Sequence, residues 1–340
     1  MHICNSSCSH GRAISRRDFL TTASLAAMAV SLPTITRAQT PPAKGPAPDA
    51  PTDVAPAAGG PTHPLFDIHM HQTPDAMRGR MPPTTKKGGS AARTEAQFIA
   101  HQKAINAIGS VILGGNDFEY EFMKANPDRY VRFASAQQVG GDRGAVVEKA
   151  LKNGARGIGE HRYEGNIPYT TRLLDLAKEF DVPILFHFQE AQYPDAVYGD
   201  FYKHIEKYPT VKFIGHAIDW WGAIDKNYSS KTATYPRGRV TPGGLTDQWL
   251  ARYPNLYSDL SATSGNTGLL RDPDFAKDFV TRHQDKIMFG SDCPCTTGDR
   301  ATCWSVVKLV ALNQLQLSAA VQQKIYLTNA QKLLKLKLPV

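Results

Sequence analysis

The chain has 340 residues, of which 41% are hydrophobic and 21% charged, and it carries a formal net charge of +8. The basic excess is spread out, with no dense Lys/Arg run or aromatic ladder, which argues against a nucleic-acid binder.

Four arginines (Arg12, Arg16, Arg17 and Arg37) against Asp18 put +3 of the charge in the first 38 residues, leaving about +5 for the rest. The stretch SRRDFL, Ser15 to Leu20, fits the twin-arginine export pattern. The apolar run TTASLAAMAVSL and a cleavage-like Thr36-Arg37-Ala38 follow it. Residues 1–38 therefore read as a signal peptide, against the alternative of an ordinary helix with a basic start. The expected partner is the twin-arginine export machinery and the expected location periplasmic or secreted. The apolar run is too short to span a bilayer as a mature helix, so no stable membrane anchor is expected. Residues 39–63 are rich in Pro, Ala and Gly and read as a flexible tether. The catalytic domain is expected over 64–340. Cys4 and Cys8 leave with the leader; among Cys293, Cys295 and Cys303 one disulfide is permitted, with Cys295–Cys303 the first pairing to consider.

From residue 65 onward, short apolar runs alternate with helical patterns. Strands are predicted at 65–71, 109–114, 130–136, 155–160, 183–188, 211–216, 255–261 and 286–291. Segments such as RTEAQFIAHQKAINAI, RGAVVEKALKNG and TTRLLDLAKEF between them space apolar residues by three and four. Eight strand–helix repeats in a domain of this length predict an α/β fold, a (β/α)8 TIM barrel with long loops over its C-terminal face. A doubly wound sheet is the competing arrangement.

The strand LFDIHMH places Asp67, His69 and His71 two residues apart, hence on one face. In a barrel, side chains at the C-terminal strand ends share one site. Glu160 ends strand four, His187 lies on strand five, His216 ends strand six and Asp292 follows strand eight. One histidine at a strand end is usually structural; metal-binding types at the same end of five strands predict a metal site.

At this point the chain resembles the amidohydrolase superfamily, in particular the amidohydrolase-related branch that includes aminocarboxymuconate semialdehyde decarboxylases. The resemblance runs from about Leu65 to Leu336 and rests on DIHMH, ILFHF, KFIGHA, IMFGSDCP and the closing IYLTNAQKLLKL. It implies His69, His71, His187 and Asp292 as metal ligands, with His216 an acid/base or oxyanion-stabilising residue. Glu160 is either a bridge between two metals or outside the ligand set, so one or two ions per chain are expected. Imidazoles and carboxylates suit zinc first, with manganese or iron as alternatives. Asp292 and His216 are the expected catalytic pair, Asp292 as proton shuttle.

Arg162 and Trp220 are candidate substrate contacts, set against solvent exposure for the first and packing for the second. Asp259 is a candidate for orienting a ligand, set against simply satisfying backbone at the barrel rim. His161 is assigned to a loop or supporting role, and His101, His204 and His283 read as surface residues. Basic loops at 72–93 and 217–244 suggest an anionic small-molecule substrate. Three functions compete: a metal-dependent hydrolase of an ester, lactone or amide; a non-oxidative decarboxylase of a small unsaturated or aromatic acid; and a non-catalytic periplasmic metal-binding protein. A homo-oligomer is left open.

Overall fold

The computed structural model describes residues 63–71, 94–113, 120–136, 141–189, 199–229, 235–293 and 303–338. The expected signal peptide, nearly all of the tether and the loop at 72–93 lie outside the described residues.

Among the described residues eight strands follow in chain order: β1 (Leu65–His71), β2 (Ala107–Leu113), β3 (Tyr130–Arg132), β4 (Ile158–Arg162), β5 (Ile184–His187), β6 (Phe213–His216), β7 (Leu256–Asp259) and β8 (Ile287–Met288). Every pairing between neighbours is parallel, in the order β1-β2-β3 and β4-β5-β6-β7-β8. Two seams join these sheets. Ala134 bridges Ile158, its N–H donating to the Gly157 carbonyl at 2.8 Å and its carbonyl accepting from Gly159 N–H at 2.9 Å. On the other side Ile68 N–H donates to the Phe289 carbonyl at 3.0 Å, and Asp292 N–H to the His69 carbonyl at 2.7 Å. The hydrogen bonding runs round the ring, and the fold is a (β/α)8 barrel.

Phe66, Ile68, Val111, Val131, Leu185, Ile214 and Met288, from six of the strands, pack into one cluster inside the barrel. Leu185 and Ile214 lie two residues before His187 and His216, hence on the same strand faces, so the polar cluster stands on an apolar floor. A second cluster, including Leu173, Leu176, Phe186, Phe213, Leu250 and Phe279, glues the strands to the helices. The helices begin as their sequences dictate. Thr94 caps Glu95–Ala104 with a reciprocal Gln97 box, and Asp142 caps Arg143–Lys152. Pro168 opens Pro168–Glu179 at a position where its missing N–H costs nothing.

The predicted strands are recovered with shifted ends. β4 continues past Glu160 to Arg162, so His161 lies in the strand rather than in a loop. The three helical histidines are also corrected: His101, His204 and His283 are buried. His101 Nε2 lies 3.2 Å from Ser305 Oγ, His283 Nε2 lies 2.6 Å from Asp247 Oδ1, and His204 packs edge-on against Tyr163. His101 and His283 are tolerated in the interior because a polar partner is present, and His204 packs its ring on an aromatic neighbour.

Candidate metal centre

β1 delivers His69 and His71, and β8 delivers Asp292 beside them. The reach is short: Asp292 Oδ1 lies 3.6 Å from His69 Nε2 and 3.4 Å from His71 Nε2. Glu160, from β4, brings Oε2 to 3.6 Å from His71 Nε2 and 4.0 Å from His69 Nε2. Its other oxygen meets His187 Nδ1 and lies 3.6 Å from His216 Nε2. His216 Nε2 is in turn 3.9 Å from Asp292 Oδ2. All six residues expected from the sequence therefore meet at one place.

Behind the imidazoles stands a hydrogen-bonded support in which Asp259 takes the orienting role its place at the end of β7 suggests, joined by Ser261, to which the sequence assigns no role. His69 Nδ1 lies 2.6 Å from Asp259 Oδ2. Ser261 donates its hydroxyl to the same oxygen at 2.9 Å and its N–H to Asp259 Oδ1 at 2.8 Å. That hydroxyl also lies 2.7 Å from His216 Nδ1; its single proton being committed to Asp259, it accepts from the ring. Nδ1 of His69 and of His216 is thereby fixed as the N–H side of each ring, and Nε2 is turned toward the centre. Asp67 accepts from the backbone of His69 at 3.1 Å and of Ser291 at 2.8 Å, tying β1 to the turn that carries Asp292. Gly290 is required by close approach: a Cβ there would lie 2.1 Å from Asp259 Oδ1.

Burial and charge act together. Burial opposes a charge on His69, yet the carboxylates of Asp292 and Asp259 overcome it and push the ring up to about 10. Burial and the neighbouring His69 push His71 down to about 4 and His216 well below the usual histidine range. Burial lifts Asp292 to about 7, while His187 and His69 hold Glu160 well below the carboxylate range against burial. Beneath the site Lys308 is fully buried and pushed down to about 8 by burial, its Nζ donating to the Ala262 carbonyl at 3.2 Å and Asn266 Oδ1 at 2.7 Å. Three residues at the mouth, Ala217, Ala262 and Asp292, hold positive φ of 85°, 60° and 45°.

A divalent cation fits these donors. His69 Nε2, His71 Nε2, His216 Nε2 and Asp292 Oδ1 are buried and have no hydrogen-bond partner among the described residues. Buried polar atoms left without a partner around two carboxylates are costly, and a cation between them satisfies the set. His187 reaches the centre engaged on both sides, by Glu160 at Nδ1 and by Gln189 Oε1 at 3.0 Å from Nε2. Arg162 pairs in register with His187 and so lies on the site face, one step beyond Glu160 toward the mouth.

Trp220, a candidate substrate contact, is a packing residue instead. It is fully buried, stacked on Phe188, with Nε1 donating to Ser258 Oγ at 2.6 Å. Its ring fills the space left by Gly215, where a Cβ would come within 2.3 Å. Trp221 is also buried and donates to the Asp259 carbonyl at 2.9 Å, bracing the strand that carries the carboxylate. His161 faces away from the centre, its Nδ1 3.2 Å from the Tyr169 hydroxyl. Within the loop at 217–244, Arg239 lies 3.5 Å from Asp274 and Lys231 falls outside the described residues. Tyr235 in the same loop is close enough to Asp292 that the carboxylate adds to burial in raising its phenol.

The sequence profile described as Amidohydrolase (Amidohydro_2) matches residues 66–336. No curated protein matches the chain. Among solved structures, a Pseudomonas putida protein provisionally assigned as a 2-pyrone-4,6-dicarboxylic acid hydrolase is 16% identical, with a TM-score of 0.54, 81% of this chain and 99% of that one covered. A dihydroxybenzoic acid decarboxylase from Polaromonas sp. JS666, with bound manganese and the inhibitor 2-nitroresorcinol, is 16% identical with a TM-score of 0.50, covering 81% and 98%. A 5-carboxyvanillate decarboxylase from Sphingomonas paucimobilis is 10% identical with a TM-score of 0.51, covering 81% and 99%. At these identities the likeness is one of fold. The profile match spans most of the chain, and with it the whole strand-end cluster: the chain belongs to the amidohydrolase family of enzymes.

Proposed function

We propose that the protein is a metal-dependent hydrolase that directs an activated water at an ester, lactone or amide bond of a small anionic substrate. The observation that carries this reading is the convergence of three bare Nε2 atoms and one bare carboxylate oxygen on a single buried point. His69, His71 and Asp292 are the core ligands, with His187 and Glu160 closing the site from β5 and β4. Zinc suits this set, as do manganese and iron. A divalent cation held there supplies Lewis acidity and brings a bound water's pKa to about 7.

The chain's residues divide the remaining work. Asp292 turns Oδ1 to the two β1 histidines and Oδ2 toward His216, so one oxygen serves the cation while the other takes and returns a proton. His216, oriented by Ser261, points Nε2 at the same space and steadies charge developing on the substrate oxygen. Arg162 stands where a substrate carboxylate would enter and can pair with it by charge-assisted hydrogen bonds.

That same arginine favours a second reading, non-oxidative decarboxylation, in which a carboxylate is lost as CO2 and Asp292 protonates the carbon left behind. Assays of the metal-loaded protein separate the two: acid release from carboxylated lactones and esters supports the hydrolase. CO2 evolution from aromatic or unsaturated acids, with no lactone or ester turnover, supports the lyase. Stoichiometric metal with no turnover of either panel returns the protein to metal storage. We also infer export by the twin-arginine route; replacing Arg16 and Arg17 with Lys should trap the precursor in the cytoplasm, and unchanged periplasmic yield refutes it.

A further inference from the structure

Immediately after Asp292 the chain carries a second buried cluster that the proposed reaction does not use. Cys293 Sγ lies 3.1 Å from Cys303 Sγ, and His101 Nε2 lies 3.9 Å from the latter. Cys303 and His101 are fully buried and Cys293 is 5% exposed. Cys303 precedes the helix Trp304–Gln314, so the two thiols join the turn after β8 to the start of that helix.

Two chemistries could occupy such a cluster. In a tetrahedral zinc site, metal–sulfur bonds of about 2.3 Å hold two thiolates about 3.8 Å apart, and four ligands are the rule. This pair is closer than that, and among the described residues the donor group has three members, His101, Cys293 and Cys303. The separation instead suits two thiols that close to a bond of about 2.05 Å with a small side-chain movement.

We propose that Cys293 and Cys303 form a disulfide that ties the Asp292 turn to the barrel's next helix. The oxidant is a small-molecule disulfide. The Cys293 thiolate attacks one of its sulfurs and releases one thiol; Cys303 then attacks the Cys293 sulfur and expels the second. Two protein thiols lose two electrons and two protons, and the oxidant becomes two thiols. The pairing differs from Cys295–Cys303, the one the sequence spacing first suggests; Cys295 lies outside the described residues.

The test uses the full chain, reduced and then exposed to oxidised glutathione, acid-quenched, denatured and alkylated without reduction. Trypsin cuts after Lys286, Arg300 and Lys308, separating residues 287–300, which hold Cys293 and Cys295, from 301–308, which hold Cys303. The expected product is these two peptides linked, about 2 Da below their summed masses. In Cys295→Ser the link persists; in Cys293→Ser it is lost. The oxidised protein should also melt about 5 °C above the reduced one. Loss of the link in Cys295→Ser, or full alkylation of Cys293 and Cys303 after oxidation, overturns the proposal. Thiols protected only by stoichiometric zinc, and released by a chelator, overturn it in favour of a metal site.

Discussion

His69 Nδ1 lies 2.6 Å from Asp259 Oδ2, and both side chains are fully buried. One carboxylate thus fixes the proton on the far side of the ring and aims Nε2 at the centre. Through Ser261 it does the same for His216. Asp259→Asn keeps the shape but turns an acceptor into a potential donor. Metal affinity should fall about 10- to 100-fold, read by chelator competition. Unchanged affinity would show that ring packing alone positions His69.

Removing a ligand is a harsher change. His69→Ala, His71→Ala, His187→Ala and Asp292→Ala should each lose metal and activity together, measured by elemental analysis beside turnover. Asp292→Asn is the finer test, since it should keep part of the metal yet lose the proton carrier. Full metal occupancy in His69→Ala would sink the ligand assignment.

Glu160 decides the stoichiometry. We expect one ion per chain, unaffected by Glu160→Gln, with the variant impaired because His187 loses its charged partner. Two ions per wild-type chain, reduced by the same change, would make Glu160 a bridge.

Charge at the mouth predicts selectivity. Arg162→Gln should raise KM for acidic substrates about tenfold or more and hardly touch neutral ones, and kcat/KM for acids should fall with added salt. Equal effects on both classes would remove Arg162 from substrate recognition.

Away from the site, Asp247 sets an acid limit on stability. Burial works against its charge, but His283 at 2.6 Å and Arg282 at 2.6 and 3.0 Å hold its pKa down to about 2. A carboxylate depressed in the folded state stabilises above its unfolded value of about 3.9, and that contribution is lost as pH falls toward 2. Because Arg282 is 41% exposed, we put the contribution at about 1–2 kcal/mol. Denaturant melts from pH 6 to pH 2 should show Asp247→Asn less stable at the upper end and converging with wild type at the lower. Parallel curves would show the ion pair to be without consequence.

The barrel and its ring of donors were legible because both rest on short-range regularities. Alternation by two put His69 and His71 on one face, and strand ends put Glu160, His187, His216 and Asp292 at one rim. Asp259 could be named from its strand end as an orienting residue, but the groups that the supports hold were not legible, because those contacts are made in space. Ser261 and Asp259 act on residues more than forty positions away, and Lys308 reaches under the site from a helix whose sequence reads as ordinary. Helical periodicity likewise could not say that His101, His204 and His283 face inward. Trp220 misled for a specific reason: beside a reactive histidine an indole suggests a pocket wall, but Gly215 opens a space beneath it.

The positive φ values at Ala217, Ala262 and Asp292 carry a consequence for evolution and engineering. Elsewhere, at Asn106, Asp181, Gln316 and Lys335, left-handed residues end helices, where such turns are routine. These three instead follow His216, follow Ser261, and carry the carboxylate itself. A non-glycine residue held in such a conformation costs about 1–3 kcal/mol. The protein is thus under tension where it is useful, and random stabilising changes should accumulate at its own centre. Ala217→Gly and Ala262→Gly should melt higher than wild type while turning over more slowly, because the slack that relieves the chain also lets His216 and Ser261 drift.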